Sequence, residues 1–101
     1  MGKFIRAVLL DAVEADGAST AKLVEMYTLL TFQVTSSSVS TGATVTLEVS
    51  LDGTNWAVYE TYTIDSNTTE TLTAVAKVKY VRAQVSSYTD GKYTVIVMAG
   101  E

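Results

Sequence analysis

The chain has 101 residues, no cysteine, histidine or proline, 48% hydrophobic and 18% charged residues, and a net charge of -4. That length suits one core and no second domain, and the apolar share rules out a disordered chain. The acidic balance argues against nucleic-acid binding, which needs clustered Lys and Arg to displace counterions.

Lacking His and Cys, the chain has no imidazole base, no thiol nucleophile and no disulfide framework. Lys3 and Arg6 precede the run Ala7-Val8-Leu9-Leu10. That run stops at Asp11, too short for a signal peptide, and no apolar window approaches the roughly 20 residues of a spanning helix. Neither export nor membrane insertion is expected.

From the N-terminus, Phe4 to Leu10 is apolar on both alternating faces except at Arg6. It reads as a strand covered on both sides, or as an arm packed against another subunit. Residues 1-10 are thus a first strand or an intersubunit arm, with Phe4, Ile5, Val8 and Leu10 as candidate contacts. Asp11 to Ser19 is acidic and loop-like. A helix from Asp11 to Met26 is rejected, because Gly17-Ala18-Ser19-Thr20 interrupts the periodicity.

Thr28 to Thr35 alternates, with Leu30, Phe32 and Val34 on one face. A hydroxyl-rich loop from Ser36 to Gly42 follows. Val45, Leu47, Val49 and Leu51 then alternate with Thr44, Thr46, Glu48 and Ser50. Asp52-Gly53 supplies the positive-φ tolerance of a tight turn, and Trp56 to Ile64 returns, which makes a β-hairpin. After the polar turn Asp65-Ser66-Asn67-Thr68 come a short exposed strand, Thr69 to Thr73, and a strand from Lys79 to Ser86 carrying Val81, Ala83 and Val85. The turn Tyr88-Thr89-Asp90-Gly91 leads into a last strand with Tyr93, Val95 and Val97 opposing Thr94, Ile96 and Met98.

Seven or eight short strands with polar turns and no helix predict an all-β fold, a single antiparallel β-sandwich of jelly-roll or immunoglobulin-like kind over residues 1-101. Without proline, the sheet edges are expected to be guarded by charges such as Lys77 and Lys79, or buried in an assembly.

Catalysis finds little support. Asp52, Glu60, Asp65 and Glu70 fall in turns or at outward strand positions, not as a pair facing across a cleft. Asp52-Gly53-Thr54-Asn55 lacks the spaced carboxylates of a calcium loop, and no metal or cofactor is expected. The sequon Asn67-Thr68-Thr69 is discounted in a threonine-rich chain with no secretory signal. Trp56, Tyr59 and Tyr62 read in two ways. They are an aromatic platform for a sugar ligand or an interface, or they pack locally, with the Trp56 indole plugging the end of the core.

The stretch Val45-Thr46-Leu47-Glu48-Val49-Ser50-Leu51-Asp52-Gly53-Thr54-Asn55-Trp56, the later Lys79-Tyr80-Val81-Arg82-Ala83-Gln84-Val85-Ser86-Ser87-Tyr88 and the Val-rich final strand together resemble small β-sandwich virion accessory proteins of tailed bacteriophages, of head-decoration or tail-associated type. The resemblance spans Phe4 to Met98. It implies a non-enzymatic structural protein that binds and stabilises a capsid or other virion surface, made in the host cytoplasm. Its implied partners are copies of itself, as a homo-oligomer such as a trimer, and a capsid or tail protein; it transfers no residue-level binding motif. The alternative is a carbohydrate-binding or host-surface adhesion module, motivated by Trp56 and the tyrosines.

Overall fold

The computed structural model describes residues 4–75 and 77–100. Strict alternation makes most of the strands: Val, Leu and Phe on one parity enter the core, while Thr, Ser and charged residues on the other meet water. In chain order the strands are β1 (Phe4–Val13), β2 (Gly17–Ala18), β3 (Lys22–Leu23), β4 (Leu29–Ser37), β5 (Ala43–Ser50), β6 (Ala57–Ile64), β7 (Thr68–Val75), β8 (Tyr80–Ser86) and β9 (Lys92–Gly100). There is no helix among the described residues.

One sheet has the order β1-β9-β4-β7, and the other has β2-β8-β5-β6 with β3 also paired to β8. The ladders are all antiparallel. Taken as one interrupted strand, β2 and β3 complete a pair of four-stranded sheets in jelly-roll order. The immunoglobulin arrangement puts its first and last strands in different sheets. Here β1 and β9 are neighbours, with Ala7 opposite Val97.

The core lies between the sheets. Leu30, Phe32 and Val34 from β4 and Tyr93, Val95, Val97 and Ala99 from β9 meet Val45, Leu47, Val81, Ala83 and Val85 from the other sheet. Tyr93 is fully buried, and its hydroxyl donates to the Asp90 carbonyl at 2.7 Å, so the phenol enters the core without an unsatisfied oxygen.

Two carboxylates organise the loops. Asp90 accepts the N–H groups of Ser40 at 3.1 Å, Thr41 at 3.0 Å and Gly42 at 2.9 Å, tying the hydroxyl-rich loop to the β8–β9 turn. Gly42 has φ +113, and a Cβ there would run into the Ile64 carbonyl oxygen. At the β5–β6 connection, Asp52 accepts the N–H groups of Thr54 and Asn55, both at 2.8 Å, and the Asn55 side-chain amide at 2.8 Å. Gly53 takes φ +81 beside the ring of Tyr80.

Several expectations change in detail. The hairpin connection takes in Leu51 and Trp56 as well as the expected Asp52 to Asn55, because the Ser50 hydroxyl accepts from Gly53 N–H at 2.9 Å and donates to the Asn55 carbonyl at 2.6 Å, rounding the loop about itself. Leu51 therefore leaves the strand and is 72% exposed. The first strand continues past Leu10 to Val13, with register shifts near Leu10 and a positive φ at Ala12. Lys77 and Lys79 sit in the β7–β8 connection and do not guard an edge. That duty falls to Glu60 and Glu70, on edge strands β6 and β7 opposite the core residues Leu47 and Val34. Both are exposed, as expected of solvated carboxylates, although their registers elsewhere point inward. Inward-aligned charge on an edge strand opposes the addition of a further strand.

Candidate functional site

Two outer faces carry the residues of interest. On the β1-β9-β4-β7 sheet, Phe4 lies opposite Gly100, Arg6 opposite Met98, and Val8 opposite Ile96. Across β9, Met98 faces Thr31 and Ile96 faces Gln33. This parity places Phe4, Val8, Ile96 and Met98 outside, beside a floor of threonines from β4 and β7.

The expected intersubunit residues thus divide. Phe4 and Val8 are exposed at 67% and 46%, whereas Ile5 is half-buried and Leu10 is buried in the chain's own core. A strand apolar on both faces has one face filled by its own fold and the other open. Arg6, Ile96 and Met98 were not singled out as site residues in the sequence. The signal was there: Val-Ile-Val-Met in the last strand is apolar on both parities, as is the first strand.

On the opposite sheet, the register pairs Glu48 with Arg82 across β5 and β8. Arg82 Nε donates to Glu48 Oε1 at 2.7 Å, with both side chains largely shielded. The Arg82 guanidinium lies 4.2 Å from the centroid of the Trp56 ring, and Lys79 Nζ lies 5.6 Å from that of Tyr80. Trp56 is half-buried on this outer face and is absent from the core cluster, so it is not the end plug of the sandwich. The end of the core near it holds a cleft of about 300 Å³ lined by Val49, Ser50, Leu51, Asp52, Asn55, Ala57 and Val78.

Trp56, Tyr59 and Tyr62 do not form one platform. Glu60 pairs with Leu47 and Val58 with Glu48, which leaves Tyr59 as the extra residue of a β-bulge, 40% exposed. Tyr62, opposite Val45, packs against the core from the edge. Burial, and then the charges of Glu60 and Glu70, push its phenol up from the ordinary value. Each residue has its own surroundings.

The carboxylates hold loops together. The Asn55 N–H, the Asn55 side-chain amide and the Thr54 N–H hold Asp52 well below the usual carboxylate range. Asp90 is lowered chiefly by the N–H groups of Thr41 and Ser40, against a smaller opposing effect of burial. Among the described residues, no three Asp or Glu gather as a metal-binding group.

Fold and surfaces together define a small jelly-roll module with an apolar outer stripe on one sheet and a shielded ion pair under an indole on the other. The chain belongs to the family described as a domain of unknown function, DUF6385, which matches residues 23–99. No curated protein matches it in sequence. Among solved structures, the SPBc2 prophage-derived protein YomS is similar over 100% of this chain and 96% of its own, at 13% identity and a TM-score of 0.78. The PBSX exported protein XepA is similar over 98% of this chain and 36% of its own, at 8% identity and a TM-score of 0.61. A family 29 carbohydrate-binding module from Piromyces equi, CBM29_1, is similar over 92% of this chain and 68% of its own, at 9% identity and a TM-score of 0.54. At these identities the likeness concerns the fold.

Proposed function

We propose that the protein is a non-enzymatic structural module of a phage particle, one that docks on a capsid or tail surface and stabilises it. The observation that carries this reading is the open apolar side of β1 and β9, where Phe4, Val8 and Met98 are 67%, 46% and 44% exposed on a strand pair whose other side fills the core. Apolar surface of this kind marks contact with another macromolecule. The prophage origin of YomS, whose fold extends over the whole chain, supports the same setting. On this reading the chain resides in the virion, needs no cofactor, and contacts neither nucleic acid nor membrane. Copies of the chain arranged as a closed oligomer, such as a trimer, belong to the same proposal.

Mass spectrometry of particles purified from an induced culture of the source strain tests it. Peptides of this chain in fixed ratio to the major capsid protein are expected. Their absence from purified particles overturns the reading.

A second reading, a carbohydrate-binding or host-surface adhesion module, draws on the half-buried Trp56, the exposed Tyr59 and the likeness to CBM29_1. The stacked Arg82 already occupies one side of the indole. A glycan array with wild type and Trp56→Ala decides it: no wild-type binding removes this reading, and binding lost in a folded variant establishes it.

A further inference from the structure

The outer face of the β1-β9-β4-β7 sheet contains a groove of about 280 Å³ lined by Arg6, Thr31, Gln33, Thr71, Ile96 and Met98. Arg6 is its one charged lining residue, in a chain of net charge -4. Among the described residues the only ion pair is that between Arg82 and Glu48, on the other sheet. Thr31 Oγ1 lies 3.2 Å from Thr73 Oγ1, and the Gln33 amide donates to Thr35 at 3.5 Å, which leaves further donor capacity on the groove floor.

A guanidinium stays charged at any ordinary pH and forms strong, planar hydrogen bonds to carboxylate. Framed by methionine, isoleucine and an exposed phenylalanine, it has the composition of an interface core.

We infer that this groove receives an Asp or Glu side chain of a protein partner, flanked in that partner by apolar residues; the inference rests on the reading of the chain as a docking module. The carboxylate accepts from Arg6, and its remaining lone pairs take the Gln33 amide and a threonine hydroxyl. The flanking apolar side chains cover Met98 and Ile96 and reach Phe4 and Val8. A second copy using the same face in a symmetric pair would set two such grooves together, with Arg6 in each and no carboxylate lining either. The same face of a second copy therefore cannot supply the carboxylate, and the groove calls for a different, acidic surface.

The test is an NMR titration of the full chain with N-acetyl-Leu-Glu-Leu-amide and with its Gln counterpart, up to about 10 mM, the range of a ligand making few contacts. Saturable shifts are expected at the Met98 and Ile96 methyls and at Arg6 Nε with the Glu peptide. The Gln peptide should bind several-fold more weakly. Arg6→Gln should abolish the difference between the two peptides, and Met98→Thr should weaken both, with the rest of each spectrum unchanged. Absence of shifts at these residues, an equal response to both peptides, or a preference for Glu kept in Arg6→Gln overturns the inference. Shifts of the same residues with protein concentration alone would seat a second copy there and overturn it equally. A missing response in a chain that is present in particles fails the groove only. A response in a chain absent from particles keeps the groove and fails the particle reading.

Discussion

The guanidinium of Arg82 stands 4.2 Å from the centroid of the Trp56 ring while its Nε donates to Glu48 at 2.7 Å, so one side chain joins β8, β5 and the end of the hairpin loop. The contact lies outside the core. Replacing Arg82 with Ala removes a shielded cross-strand pair and a cation–π contact, and a loss of about 1–2 kcal/mol is expected. Trp56→Ala should cost about 1 kcal/mol, well short of the 3–5 kcal/mol of a core tryptophan. Urea denaturation of both single variants and the double variant checks this; a Trp56→Ala loss in the core range would place the indole back in the sandwich.

Acid should loosen the loops held by Asp52 and Asp90. Hydrogen bonds lower both carboxyls in the folded state. Their stabilising contribution is complete above the unfolded value near pH 4 and fades as pH falls through the folded values. Asp90→Asn should be less stable than wild type at pH 7, with the gap narrowing as the pH falls below the ordinary carboxylate range. Denaturant midpoints across this range report it, and a gap that does not vary with pH contradicts the ionic role.

Gly42 meets two demands at once, a φ of +113 and contact with the Ile64 carbonyl that leaves no room for a Cβ. Gly42→Ala should therefore lose about 3 kcal/mol or more, since both the backbone strain and the clash must be relieved. Gly17, at φ +148 with nothing within 4 Å of an added Cβ, serves as the control. A smaller thermal shift for Gly17→Ala is expected; equal shifts would rule out the Ile64 contact as the cause.

Glu60 and Glu70 occupy core-facing registers on the two edge strands β6 and β7. Converting both to Val should leave the monomer folded and make it aggregate through its edges. Light scattering during incubation at 37 °C distinguishes the outcomes. A double variant as soluble as wild type would move edge protection elsewhere.

Where one face of a strand is buried, period two was enough to read the fold. Leu30, Phe32 and Val34, then Val45 and Leu47, then Val81, Ala83 and Val85, and finally Tyr93, Val95 and Val97 all reach the core from the parity their alternation indicates. The pattern failed where local hydrogen bonds override it. Leu51 fits the alternation but leaves the strand because Ser50 and Asp52 round the loop. Glu60 and Glu70 look outward by charge, yet pairing register sets them opposite Leu47 and Val34.

The sequence by itself determined an all-β sandwich and the parity of its core, because burial of alternating apolar residues is a local property of each strand. It also excluded chemistry that depends on histidine or cysteine. Only the tertiary structure decided that β1 lies beside β9, which brings Arg6 and Met98 together from opposite ends of the chain. The same is true of Arg82, set against Glu48 and Trp56, and of the separate surroundings of Trp56, Tyr59 and Tyr62. Strand order and register are long-range pairings, and no periodicity within a single strand encodes which other strand it will meet.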